Sequence, residues 1–251
     1  MLTRIFGVAL GAGCAAGLAL ALLQAMFTTP LILQAEVFET ASHAQPLVQH
    51  AVAGEDEARL WLAHSGAAHD EDGGHGFLDS IFGDWAPEDG LERTAYTALS
   101  SVLVGFGYAL MLLSVMLLGA KKLDASSGLL WGIGGFAAVS LAPALGLPPE
   151  LPGSAAADLL ARQTWWLGTA AATGLGLWLI ASRENAGLKV SGLLLLIAPH
   201  LIGAPHPHEY ASRVPAELQG HFVAASLVLS AVFWALLGSL TGWLWQRGEG
   251  R

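Results

Sequence analysis

The chain has 251 residues, 54% of them hydrophobic and only 12% charged, with apolar runs long enough to cross a bilayer, so it reads as an all-α polytopic membrane protein rather than a soluble domain. A formal net charge of −9 and eleven scattered basic residues exclude a nucleic-acid surface, which needs clustered Lys and Arg. One cysteine, Cys14, excludes an internal disulfide and a Cys-based zinc knuckle, so any metal site must use nitrogen and oxygen ligands.

The first element, residues 1–33, opens with "MLTRIFGVALGAGCAAGLALALLQAMF". The basic start and apolar run resemble a signal peptide, but the uncharged stretch continues to "PLIL" and is longer than a signal core, which favours a retained first transmembrane helix. Gly7, Gly11, Gly13 and Gly17 give two interlocked small-xxx-small pairs, the pattern that lets helix backbones approach closely in lipid.

Residues 34–92 form the second unit, a long His/Asp/Glu-rich loop. "PLVQHAVAGEDEARLWLAH" suits a short amphipathic surface helix. The following "HSGAAHDEDGGHG" is rich in glycine and lacks bulky apolar side chains, so burial does not offset its chain entropy unless a ligand orders it. Imidazole and carboxylate together suit borderline ions such as Co²⁺, Ni²⁺ and Zn²⁺, and His64, His69, Asp70, Asp72 and His75 are the candidate ligands. The bland alternative is a solvated acidic loop whose histidines are incidental. "DGLERT" then reads as a capping box, Asp89 as N-cap and Glu92 three residues on. Glu92 and Arg93 double as pathway candidates.

The third unit, residues 93–251, is read as five further helices near Tyr96–Leu118, Gly128–Leu145, Trp165–Ala181, Leu188–Ile202 and Phe222–Trp245, about six in all. Two are short, which leaves five possible. Charge placement favours six with both termini cytoplasmic. That arrangement gathers Arg4, Lys121, Lys122, Arg183, Lys189, Arg247 and Arg251 on the inner side, and puts most acids and all nine histidines at or beyond the outer face.

In "LAPALGLPPELPG", Pro143 is expected to break a span, and irregular backbone at membrane depth is tolerated where it lines a cavity. In "LIAPHLIGAPHPHEYASRVPAELQGHF", Pro199 frees carbonyls near a helix end and His200 is the histidine placed within the bilayer thickness. His206 and His208 flank a proline in extended "HPH", where alternate side chains face the same way and could ligate one ion with Glu209. Solvent exposure is the competing reading for that pair, and a hydrogen-bonded helix end is the competing reading for His200.

No Ser-His-Asp, HExxH, HxxxH or HxxHH constellation is present, which argues against a hydrolase or a membrane di-iron enzyme. No GxxxxGK[ST] loop is present either, so the chain does not hydrolyse ATP through a P-loop. Two readings remain: an uptake transporter subunit with no tightly bound cofactor, whose cargo is a divalent cation, and a non-transporting metal-binding scaffold or sensor subunit.

The sequence "MLTRIFGVALGAGCAAGLALALLQ…PLILQAEVFE", then "DGLERTAYT", "GFAAVSLAPALGLPPELPG", "ARQTWWLGT", "PHLIGAP" and "VPAEL…F", in this order over nearly the whole chain, resembles the CbtA family of cobalt transporter subunits. The resemblance implies a bacterial inner-membrane protein linked to cobalamin metabolism, with cobalt as its cargo. It also implies a small single-span partner, CbtB, that carries a His-rich tail. The family is usually described with five spans, whereas charge placement here favours six.

Overall fold

The structure is a computed structural model that describes residues 1–43, 90–120, 122–182, 184–207 and 212–249, the side chains of residues 39–43 and 249 excepted. Every regular element among them is helical. In chain order these are α1 (Leu2–Phe27), α2 (Thr29–His43), α3 (Leu91–Gly119), α4 (Ala125–Phe136), a π-helical turn (Ala137–Leu141), α5 (Ala142–Ala144), α6 (Leu159–Ser182), α7 (Ala186–Ile202) and α8 (Ala216–Glu249).

Among the described residues, four helices are long and apolar enough to cross a membrane: Leu2–Phe27, Leu91–Gly119, Ala125–Ala144 and Ala216–Gly248. The chain is therefore an all-α polytopic membrane protein. Ala186–Ile202 is a shorter apolar helix. The 24-residue α6 is long, though Trp, Thr and Gly dilute its hydropathy.

Helix starts and breaks follow local chemistry. Thr28 joins α1 to α2, its buried hydroxyl donating to the Gln24 carbonyl, and Pro30 supplies no N–H to the turn behind it. Helix α3 has Gly90 as its N-cap at φ 99°, a conformation that glycine adopts without strain, and Asp89, expected to cap it, lies outside the described residues. A reciprocal box does occur at α4, where Asp124 accepts from the Ser127 N–H at 2.8 Å and the Asp124 N–H donates to Ser127 Oγ at 3.1 Å. Lys122 lies 2.8 Å from the same carboxylate. The Lys122 ammonium and then the Ser127 N–H hold the Asp124 carboxyl below its ordinary range. The cap is thus fully ionised above the carboxyl's unfolded pKa and is lost only as pH falls through the lowered one. Asp124→Asn should lower the melting temperature in detergent at neutral pH, with the deficit shrinking as pH drops into that window. An equal deficit at every pH would contradict this origin.

Pro143 does not end its helix as expected. Lacking an N–H, it cannot complete the α-helical bond to the Val139 carbonyl, and the backbone instead widens to π register, with the Ala142 N–H bonding the Ala137 carbonyl. The helix then continues through Ala144.

Packing relies on glycine where helices cross. Chain neighbours in the bundle run α3 beside α1, α1 beside α8, α8 beside α4, the π turn beside α6, and α6 beside α7. At α1/α3, a side chain on Gly13 or Gly17 would strike the backbone of Phe106 or Ser101. At α4/α8, Gly128 and Gly132 meet Gly238 and the Trp234 carbonyl, and at α6/α7, Gly176 meets Gly192. With lipid as solvent, such backbone approach supplies the dispersion contact that a soluble core takes from large side chains. Of the two pairs expected on α1, Gly13/Gly17 forms this crossing. Gly7 has open space, and Gly11 faces the Leu244 side chain.

Both ends of the described chain lie at one end of the bundle. The Arg4 guanidinium stacks on the Trp245 ring at 3.9 Å and donates to the Trp245 carbonyl. At the opposite end, Ala35, Leu151 and Val214 form a small core with Ile32, Leu218 and Phe222 against it. There the Gln219 amide pins the proline-rich segment after α5, donating to the Pro149 carbonyl at 2.7 Å and accepting from the Leu151 N–H at 3.2 Å.

Candidate functional site

Two concavities open at the end of the bundle away from Arg4, on either side of α6. The helix starts where Asp158 accepts from the Ala161 N–H at 2.9 Å, and its consecutive indoles Trp165 and Trp166 point about 100° apart. Trp166 lines a cavity of about 590 Å³ with Pro143, Ser140, Ser230, Arg162 and Glu150. Trp165 lines one of about 570 Å³ with Asp158, Thr164, Gly203, Ala204 and Pro205.

The first cavity has the π turn as its floor. Ser140 on that turn and Ser230 on α8 share a hydrogen bond of 2.6 Å, and at the rim Arg162 pairs with Glu150 at 2.7 Å. Its principal acceptors are thus engaged with protein donors, and a cation would have to displace Arg162 to use the carboxylate.

The second lies beside His200. The Trp165 and His200 rings meet edge to face at 6.2 Å, and the tip of Trp165 and Ala204 both lie close to Gly146. Pro199 is buried, and its carbonyl accepts from the Gly203 N–H at 3.0 Å. Because Pro199 has no N–H, the Leu195 carbonyl lacks the donor that an α-helix would normally supply. His200 thus stands where a helix is chemically incomplete, against the Trp165 ring that lines the second concavity. An imidazole and a carbonyl deprived of its helical donor are groups that replace part of an ion's hydration shell.

The remaining expected residues are scattered. Glu92 is in the first turn of α3. Arg93 pairs with Glu36 of α2 at 2.6 and 3.4 Å, a fork that ties α3 to α2. Both partners are about one-third exposed, at 35% and 34%, so the pair contributes on the order of 1 kcal/mol or less. Pro143 is fully buried at the π turn, and His206 follows α7 in irregular chain. His64, His69, Asp70, Asp72, His75 and His208 lie outside the described residues, as does Glu209. Among the described residues no group of three or more His, Cys, Asp or Glu is placed to hold a metal ion.

Sequence reasoning singled out neither the Ser140–Ser230 pair nor Thr169 and Thr173 along α6. The first had a signal, since Pro143 marks irregular backbone three residues past Ser140. For the others, only the pairing of α6 with α7 reveals which face they occupy.

Comparison with known proteins gives one positive result. The family described as "Probable cobalt transporter subunit (CbtA)" matches residues 2–246. No curated protein and no solved structure matches the chain.

Proposed function

Because the chain belongs to the CbtA family, whose members are transporter subunits and not enzymes, we propose that it is the membrane subunit of a cobalt uptake system that takes Co²⁺ from the outer face with His and carboxylate ligands. The observation that carries this reading is His200, set beside buried Pro199 and the concavity at Trp165. In this reading His200 receives the ion at the mouth of the α6–α7 groove. His206 and His208 supply it from the last outer loop, and His64, His69, Asp70, Asp72 and His75 collect it in the first. Glu92, Arg93 and Pro143 shape the surrounding outer end. A CbtB-like single-span subunit is the expected partner.

The topology that goes with this function has six spans and cytoplasmic termini in the inner membrane. Two observations support an even count. Arg4 touches Trp245, so the chain returns to the end at which it starts. Helices α6 and α7 pack as a tight hairpin through Gly176 and Gly192, each about two turns from the short connection, so they cross together or not at all. The basic residues at that end suit the cytoplasm. A reporter fused after residue 251 should be active only as a cytoplasmic enzyme, and periplasmic activity would sink the arrangement.

Cells carrying the chain should accumulate more cobalt from a scarce supply than cells without it. Equal accumulation at equal protein abundance would count against uptake. Replacing His64, His69 and His75 together by alanine should raise the cobalt concentration needed for half-maximal uptake while preserving the maximum, as loss of a local collector would. A lost maximum would place these residues in the pathway itself.

A further inference from the structure

Trp165, Thr169 and Thr173 recur every fourth residue on α6, and the Trp165 Nε1 and both threonine hydroxyls are buried without a hydrogen-bond partner. Positions four apart share a helix face. The stripe begins where Trp165 meets His200 and leads to Gly176, which meets Gly192, so both ends of it lie against α7.

The unpartnered state of the threonines stands out within this protein. Several hydroxyls on helices here bond back to the carbonyl four residues earlier, Thr97 to Arg93, Ser114 to Leu110, Thr164 to Leu160, Ser191 to Gly187 and Thr241 to Leu237, and others find side-chain partners, as Ser101 does in Gln24 and Ser140 in Ser230. That bond is the ready means of satisfying a hydroxyl away from water. Thr169 and Thr173 lack it at 1% and 3% exposure. On α7, the helix that packs against α6, the Leu195 carbonyl lacks its usual donor because residue 199 is proline. Buried polar atoms left unbonded are unfavourable, and several on one face call for a ligand.

We propose that Thr169 and Thr173, with the Leu195 carbonyl, provide successive transient coordination positions for the transported divalent cation, one and two helical turns along α6 from Trp165 at the His200 mouth. This rests on the uptake reading above and names the step after His200. Successive threonines are about 6 Å apart along the axis, a spacing that lets an ion exchange one set of oxygens for the next. Neutral oxygens replace hydration without binding tightly, which a conducting site requires. The indole N–H of Trp165, a donor only, would hold a water that the ion keeps. The first cavity does not compete for this role, because its serines bond one another and its carboxylate is paired with Arg162.

The test uses the full-length chain in proteoliposomes with Co²⁺ as the probe. Thr169→Val with Thr173→Val keeps side-chain shape and removes only the hydroxyls. The double variant should melt at or above the wild-type temperature in detergent, since two unbonded buried hydroxyls are gone, while its maximal uptake falls by about tenfold or more. The double serine variant, which keeps the hydroxyls, should stay within about twofold of wild type. Wild-type maximal uptake by the valine variant overturns the proposal, as does a lowered melting temperature, which would mean that the hydroxyls are bonded within the fold. If the wild-type chain takes up no Co²⁺ even with its single-span partner present, the uptake reading fails and this step fails with it. An active wild type with an equally active valine variant removes the step alone.

Discussion

Gly132→Leu is expected to leave little folded protein in the membrane. Gly132 on α4 faces the Trp234 carbonyl on α8, and one turn away Gly128 and Gly238 oppose each other's backbones. A side chain at residue 132 would meet backbone, which has no alternative rotamer to adopt. The helices must then move apart along the whole α4–α8 seam, losing contacts that lipid does not replace with any hydrophobic gain. Overpacking a soluble core costs about 1–3 kcal/mol where side chains yield, and a backbone collision should exceed that. Gly134 provides the control on the same helix, since a side chain there meets open space. Gly134→Leu should accumulate and melt as wild type does, while Gly132→Leu should aggregate or be degraded. Equal yield and melting of the two variants would refute the close α4–α8 crossing.

His200→Ala should lower maximal Co²⁺ uptake by about tenfold or more even when the ion is saturating, and at normal protein abundance. His206→Ala and His208→Ala should instead raise the concentration needed. The distinction follows from position. A ligand that the ion must pass affects the rate at any supply, whereas a ligand in the outer loop only enriches the ion nearby. His200→Ala also removes the edge contact with Trp165, so packing must be separated from ligation. His200→Phe supplies that separation: it keeps an aromatic ring against Trp165 and should transport as poorly as the alanine variant. Normal uptake by His200→Phe would reduce His200 to a packing residue.

Much of the fold was legible because lipid imposes one simple demand. Backbone groups must bond internally, so long uncharged runs become helices, and four of them do so at spanning length. Ends were less legible. Residues 34–43, read with the first outer loop, continue the helical rise as most of α2, because Pro30 is acceptable in a first helical turn. Gly13 and Gly17 could be read as a close-packing pair, but nothing along α1 alone distinguishes them from Gly7 and Gly11, which have the same spacing and no backbone opposite. Pro143 signalled irregular backbone correctly, yet whether a proline ends a helix or shifts it to π register depends on the packing of α6 against that turn.

The site divides in the same way. His200 and Pro199 could be chosen from sequence, since an imidazole next to a helix-breaking residue is rare within an apolar run. Thr169 and Thr173 could not. A threonine in a membrane helix ordinarily bonds to its own backbone, and its failure to do so is visible only when the side-chain geometry is known. Arg93 drew notice as a charge near a span, and its carboxylate partner Glu36 lies 57 residues away in sequence, beyond any local pattern.

The central claim, that this subunit moves cobalt rather than merely holding it, is tested most directly by uptake of labelled Co²⁺ into liposomes containing the purified chain, alone and with its single-span partner, under an inside-negative potential. A divalent cation gains about 4.6 kcal/mol per 100 mV on moving inward. The account predicts saturable accumulation that depends on the protein, grows with the imposed potential and is lost with His200→Ala. Co²⁺ binding at the outer face without accumulation inside, at any potential and even with the partner present, would contradict it and leave a metal-binding scaffold.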